Sequence, residues 1–273
     1  TSTVILQSAV NTCRRSVSAL YFKRNSVSTE TIYKATIKAI SKYYPIRDYF
    51  DHLDIGAGSG DLIKNLHNTN QGIRSFACDY TDSLIELPNQ KIDIVDLNKN
   101  RLPYQDAAFD VVTATEVIEH LENPREFLRD INRVLKPGGI CVLSTPNILN
   151  LNSRLRYLWF GFAELFGPLS IAGRKIESCS GHISPISYFY LYHGLKESGF
   201  DDVALDIDKI QRSGLAKLIV LYFPIKLKEV LIKRRELKKY KTIDLTNKNI
   251  INKINSYKIL LGRTIIVTAR KEI

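Results

Sequence analysis

The stretch His52-Leu-Asp-Ile-Gly-Ala-Gly-Ser-Gly-Asp-Leu62 constrains this chain more than any other. A short apolar run reaches Asp54, passes through Gly56, Gly58 and Gly60, and enters a helical pattern. Glycine tolerates positive φ and has no Cβ, so this spacing lets the backbone of a turn lie against a ligand. The familiar dinucleotide fingerprint is Gly-x-Gly-x-x-Gly. Here its last position is Asp61, and the third glycine comes one residue early. A glycine triplet alone describes many tight turns. The strand and helix patterns downstream of it decide between them.

From Phe50 onward short strand patterns alternate with helical ones, which predicts an α/β, Rossmann-like sheet with helices on both faces. Strands are expected over 51–55, 73–78, 92–96, 109–114 and 140–144. Helices are expected over about 60–68, from Thr115 and over 124–135, and Lys-Pro-Gly-Gly at 136–139 should turn into the fifth strand. In open α/β sheets the ligand lies across the carboxyl ends of the strands. Asp54, Asp79, Asp96 and Thr115 all fall at such ends. An acidic residue closing the second strand is placed to hydrogen-bond a ribose diol, so Asp79 is the expected ribose reader; the plainer alternative is a capping aspartate. Asp96 with Leu97 would flank an adenine ring.

Taken together, these residues resemble the class I S-adenosylmethionine-dependent methyltransferases. The resemblance rests on Asp54-Ile-Gly-Ala-Gly-Ser-Gly60, Asp79, Leu102-Pro-Tyr-Gln-Asp-Ala-Ala-Phe-Asp110, Glu116-Val-Ile-Glu-His120, Arg133-Val-Leu-Lys-Pro-Gly-Gly139 and Ser144-Thr-Pro-Asn147. It covers roughly residues 50–147 and is far more specific for fold and cofactor than for the acceptor. It implies that S-adenosyl-L-methionine is held by Asp54, Gly56, Ala57, Gly58, Gly60, Asp79, Tyr80, Asp96, Leu97 and Thr115.

Methyl transfer from a sulfonium is an in-line displacement, so the protein must align the acceptor and, for a hydroxyl, take or share its proton. On a helix, Glu116, Glu119 and His120 stand at i, i+3 and i+4 and share one face. Two carboxylates and an imidazole suit a divalent ion such as Mg²⁺, Mn²⁺ or Zn²⁺. His182, in Gly-His-Ile-Ser-Pro, could complete that set from beyond the fifth strand. The grouping resembles that of small-RNA 2′-O-methyltransferases and quinone-precursor O-methyltransferases, both of which act on one hydroxyl of a vicinal diol. The alternative is metal-free: the glutamates face solvent, and His120 caps or packs. His120 or His182 could still serve there as general base. His52, His67 and His193 read as structural or surface histidines.

One domain is expected over 1–273. Residues 1–45 form a helical cap over the core's entrance, including a helix at 28–44, and 46–147 form the cofactor-binding core. An insertion at 148–182, rich in Arg154, Arg156, Tyr157, Trp159, Phe160, Phe162 and Phe166, is expected to be a lid or acceptor surface. The sheet resumes with a helix at 185–198 and a strand at 203–208. A basic insertion at 211–262 precedes the last strand at 264–269. That insertion fits an amphipathic helix on anionic lipid; a solvated basic helix face is the simpler alternative.

The formal charge of +11 argues for contact with something anionic, such as a membrane surface, a phosphate-bearing substrate or nucleic acid. No RNA-binding motif is recognised in the basic stretch, so nucleic acid is not the expected partner. Cys13, Cys78, Cys141 and Cys179 form no C-x-x-C pair and read as neither a disulfide framework nor a zinc site. No apolar run approaches the ~20 residues of a spanning helix. The first acidic residue is Glu30, and such a start can mimic a transit peptide. The expected place is nonetheless cytoplasmic, with peripheral membrane contact through the basic insertion. The expected reaction is O-methylation of a hydroxyl on a sugar, lipid-linked glycan or other small molecule. A quinone precursor, an RNA 2′-hydroxyl and a non-catalytic binding subunit are the alternatives.

Overall fold

A computed structural model describes residues 26–44, 49–70, 72–169 and 181–273. The expected helices before residue 26, Cys13, Cys179 and part of the first insertion lie outside the described residues. Seven strands form one sheet in the order β3-β2-β1-β4-β5-β7-β6. β1 (Phe50–Ile55) pairs in parallel with β2 (Ile73–Asp79) and β4 (Phe109–Thr115). β3 (Ile92–Ile94) and β5 (Leu135–Pro146) extend the parallel part on either side. β7 (Thr264–Lys271) runs antiparallel between β5 and β6 (Phe200–Ile207).

Parallel strands are covered on both faces and so read as nearly continuous apolar runs. Successive side chains alternate between the faces. Val111, Ile140 and Val142 point to one face, where α1 (Ser26–Ser41) lays Ile32, Ala39 and Ile40. Val112, Cys141 and Leu143 point to the other, under Phe127, Leu128 and Ile131 of α3 (Pro124–Val134) and Leu191 and Leu195 of α5 (Tyr188–Glu197). α1 is therefore a sheet-covering helix rather than a cap over the entrance alone. α2 (Asp61–Thr69) comes directly after the glycine loop.

Three local expectations are corrected. β3 stops at Ile94, and the Asp96 carboxylate turns to Lys99 at 2.7 Å and accepts from Asn98 N at 3.1 Å. Lys136-Pro-Gly-Gly139 is absorbed into β5 as an irregularity, with Gly138 at φ 75°, because the strand begins right at the end of α3. No α-helix starts at Thr115. Glu116 takes φ 57°, a conformation that breaks helical continuation, and a single 3₁₀ turn covers Ile118–His120.

Among the described residues, both insertions contribute helices. α4 (Leu151–Phe160) is capped by Asn150, which accepts from Ser153 N at 2.8 Å, and is closed by Gly161 at φ 74°. The second comprises α6 (Arg212–Arg235), a π-helical continuation at Glu236–Tyr240, α7 (Lys248–Lys253) and α8 (Tyr257–Leu261). α6 meets the body through Leu218, Leu221 and Ile225, which pack on Leu151, Leu260 and Leu261. Among the described residues, no helix is long and apolar enough to cross a membrane.

Candidate active site

β1 delivers the chain into the glycine loop at the carboxyl edge of the sheet, and the loop's backbone is tied to β2. Gly56 N donates to Cys78 O at 2.8 Å, and Gly58 N donates to the Asp79 carboxylate at 2.8 Å. Thr81 N donates to the other Asp79 oxygen at 3.3 Å. Asp79 thus holds the loop it borders. A Cβ on Gly56 would lie 2.5 Å from Val117 Cγ2, whereas a Cβ on Gly58 would meet nothing within 4 Å. Gly56 is a packing glycine; Gly58 leaves bare backbone facing open space. Ala57 is buried with Ile63 and Ala77, so only its backbone could meet a ligand. Tyr80 is largely exposed, Leu97 packs on the core, and Thr115 ends β4 half-buried.

Asp54 is buried and accepts from Thr113 Oγ1 at 2.7 Å. Burial pushes its carboxyl up to about 7 against the Thr113 hydrogen bond, and Asp79 adds to the shift. Tyr33 of α1 comes within electrostatic reach of Asp54, Asp61 and Glu116, which adds to the effect of burial in raising its phenol. The sequence offered no signal for that residue beyond an aromatic in an apolar helix.

Glu119, His120 and His182 come together, with one ligand atom from each lying within 4.8 Å of the others. Glu119 is fully buried, and neither carboxylate oxygen has a well-formed hydrogen bond, although Thr145 lies close enough to favour its charged form. Burial, then the neighbouring Glu116 charge, holds it well above the usual carboxylate range. His120 Nδ1 lies 2.9 Å from Gly181 O and must donate to that carbonyl, which leaves Nε2 with the lone pair. Burial lowers His120 despite that hydrogen bond. His182 stacks edge-on to His120 at 4.8 Å and leans on Phe166 at 5.2 Å. Its Nδ1 is buried without a partner, and burial together with the smaller effect of His120 pushes it down to about 4. Ile183 N and Ser184 N both donate to Glu119 O at 2.9 Å, and this docking brings His182 in.

Glu116 stays outside the cluster. Its Oε1 accepts from Ser144 Oγ at 3.1 Å, and its own amide donates to Ser144 Oγ at 3.0 Å. Burial pushes it up to about 7; the Ser144 hydrogen bond opposes this, Asp208 adds and Arg263 subtracts. The expected shared helix face is absent because the 3₁₀ turn and the positive φ at Glu116 rotate it away. The expected solvent-facing glutamates are also absent.

Residues 53–143 match the methyltransferase domain family. A protein of Mycolicibacterium smegmatis, described as a probable S-adenosylmethionine-dependent methyltransferase, is 36% identical over 144 residues, 48% of this chain and 54% of that protein. The ubiquinone biosynthesis O-methyltransferase of Rickettsia bellii is 34% identical over 118 residues, 41% and 48% of the two chains. The demethylmenaquinone methyltransferase of Staphylococcus aureus is 26% identical over 168 residues, 57% and 68%. The crystal structure of a SAM dependent methyltransferase from Archaeoglobus fulgidus shares the fold with a TM-score of 0.53 at 20% identity, over 88% and 94% of the two chains. The domain match and the shared sheet together support a class I S-adenosylmethionine-dependent methyltransferase. The chain spans about half the length of the first curated relatives it matches.

The methyltransferase loop fits its cofactor by two observations: open space over the Gly58 backbone and a carboxylate beside it. The donor set of Glu119, His120 and His182 fits a divalent cation by another: a buried carboxylate without a well-formed hydrogen bond is costly unless a cation or a proton neutralises it. His193 is exposed beside Arg125 at 3.5 Å, as a surface histidine should be. His52 is buried and fully hydrogen-bonded, and His67 bonds Ser75 at 2.9 Å. Cys78 and Cys141 are buried free thiols.

Proposed function

We propose that this chain transfers a methyl group to a hydroxyl oxygen of a small acceptor, a sugar or lipid-linked glycan presenting a vicinal diol. The carrying observation is His120, anchored through Nδ1 on Gly181 O and left with a free Nε2 beside buried Glu119. Bound S-adenosylmethionine supplies a sulfonium-activated methyl group, and a divalent cation on Glu119, His120 and His182 would supply Lewis acidity toward a hydroxyl. In the metal-free arrangement the chain's own residues suffice. His120 is neutral near pH 7 because burial lowers it, so Nε2 can take the acceptor proton. The O–C bond forms as the C–S bond breaks, and its electron pair stays on sulfur as S-adenosylhomocysteine leaves. The glycine loop and Asp79 orient the donor, and orientation can supply as much as ~7–11 kcal/mol of the barrier. A quinone precursor is the second reading, supported by the similarity to an enzyme named for ubiquinone biosynthesis and by the Glu-x-x-Glu-His grouping.

The test is S-adenosylhomocysteine release over a panel of sugars, lipid-linked sugars and catechols, with and without chelator. His120→Ala should lower kcat at least about a hundredfold, the low end for lost acid–base catalysis. Glu119→Gln should lower activity only if a cation is held, and should then abolish the thermal shift caused by Mg²⁺, Mn²⁺ or Zn²⁺. Undiminished turnover in His120→Ala would end this reading. Turnover retained in chelator would leave only the metal-free arrangement.

A further inference from the structure

α6 carries two apolar faces. With 3.6 residues per turn, Leu218, Leu221 and Ile225 share the side packed on Leu151, Leu260 and Leu261. Ile219, Val220, Phe223, Leu227, Val230 and Leu231 share the opposite side. That side is open: Ile219 is 83% exposed, Phe223 74% and Val220 72%. It runs for about 18 Å at ~1.5 Å per residue. Basic residues border it on both flanks. Lys217, Lys228 and Arg235 fall on one, and Lys226 and Lys233 fall on the other, where they pair with Glu229. The sequence pattern allows an amphipathic helix on anionic lipid or a solvated basic face; the outer side of α6 is apolar and the charge lies at its edges.

A second exposed apolar element starts from the same joint, where Asn152 of α4 bonds Gln211, Ser213 and Lys217. The last turn of α4, Tyr157-Leu-Trp-Phe160, is exposed on all sides, with Trp159 at 80%. Soluble monomers seldom leave so many large apolar side chains uncovered together.

We propose that α6 and the end of α4 dock on an anionic lipid surface. The apolar stripe would lie at the boundary of headgroups and acyl chains, with the bordering Lys and Arg reaching up to lipid phosphates. Charge complementarity selects this occupant. Arg234, Lys238, Lys239 and Lys241 continue the basic border past the stripe, and the chain carries +11 overall. A second copy would bring the same positive excess against itself. An RNA partner would need the outer face to be basic, which it is not. The inference stands apart from the proposed reaction, since binding to lipid requires no turnover.

Flotation of the full chain with phosphatidylcholine vesicles, with and without phosphatidylglycerol, tests it. The chain should float with the mixed vesicles, bind neutral ones much more weakly, and release as salt rises. Trp159 is the only tryptophan, so its emission should shift to the blue on binding. Ile219→Asp and Phe223→Asp, both at exposed positions, should each weaken binding about tenfold or more with the thermal unfolding temperature unchanged. Lys228→Glu with Arg235→Glu should erase the preference for phosphatidylglycerol. Absence of flotation at low salt overturns the proposal, as does equal binding to neutral vesicles. A dimer in solution that Phe223→Asp converts to a monomer, with no vesicle binding by either, would assign the stripe to a second copy instead.

Discussion

His52 and Asp54 stand two residues apart on β1 and share one hydroxyl: Thr113 Oγ1 lies 2.8 Å from His52 Nε2 and 2.7 Å from Asp54 Oδ1. Burial, with a contribution from His67, pushes His52 down to about 3, while burial pushes Asp54 up to about 7. Between about pH 4 and about 6.5 the folded chain therefore lacks a proton at His52 that the unfolded chain holds. Over the same window it keeps one at Asp54 that the unfolded chain has lost. The first makes stability rise with pH and the second makes it fall, so the pair cancels. Asp54→Asn should uncover the His52 contribution, making the pH slope of stability in urea unfolding more positive than the parent's by up to ~1.4 kcal/mol per pH unit across that window. A pH slope unchanged from that of the unmodified chain would refute the pairing. Asp79→Ala belongs to the same scale. Losing a carboxylate that accepts from Gly58 N should weaken S-adenosylhomocysteine binding by about tenfold or more, read by calorimetry. Unchanged affinity would remove Asp79 from the site.

The elements around the site are set by short-range geometry that periodicity does not report. Glu116, Glu119 and His120 have helical spacing, yet Glu116 at φ 57° and the 3₁₀ turn send its carboxylate to Ser144. The glycine loop is legible in the sequence because its requirement is local. Gly56→Ala should destabilise by about 1–3 kcal/mol, since φ 70° and the contact with Val117 both penalise a Cβ; thermal unfolding would show it. Residues 102–110 carry part of the resemblance to the cofactor family, and their work in the fold is structural. Arg133 reaches Leu102 O at 2.9 Å, Tyr104 O at 2.6 Å and Asp130 at 2.7 Å. Arg133→Lys should cost about 2 kcal/mol, because an ammonium cannot replace a planar fork that serves all three. An unfolding midpoint unchanged from the parent would contradict that assignment.

At the scale of the molecule, cofactor binding and folding are coupled through one sheet edge. S-adenosylhomocysteine at about a hundred times its Kd should stabilise by ~2.7 kcal/mol, a rise of roughly 2–4 °C. The same shift should survive Ile219→Asp, because the apolar packing of α6 on the body runs along its opposite face. Loss of the shift in that variant would show that the outer stripe serves the cofactor site.

Read alone, the amino-acid order determined the alternation of strand and helix, the glycine loop, Asp79 at the end of its strand and the histidines at issue. Each arises from local steric or polar requirements that neighbours in the chain impose. Tertiary structure alone decided which side chains meet. It brought His182 to His120 across 61 intervening positions by docking the 181–184 backbone on Glu119 O. It also turned Glu116 aside, and chose which of two apolar faces of α6 to bury. Those outcomes depend on which backbone and apolar partners are within reach once the sheet has formed, and chain-local pattern carries no such distances.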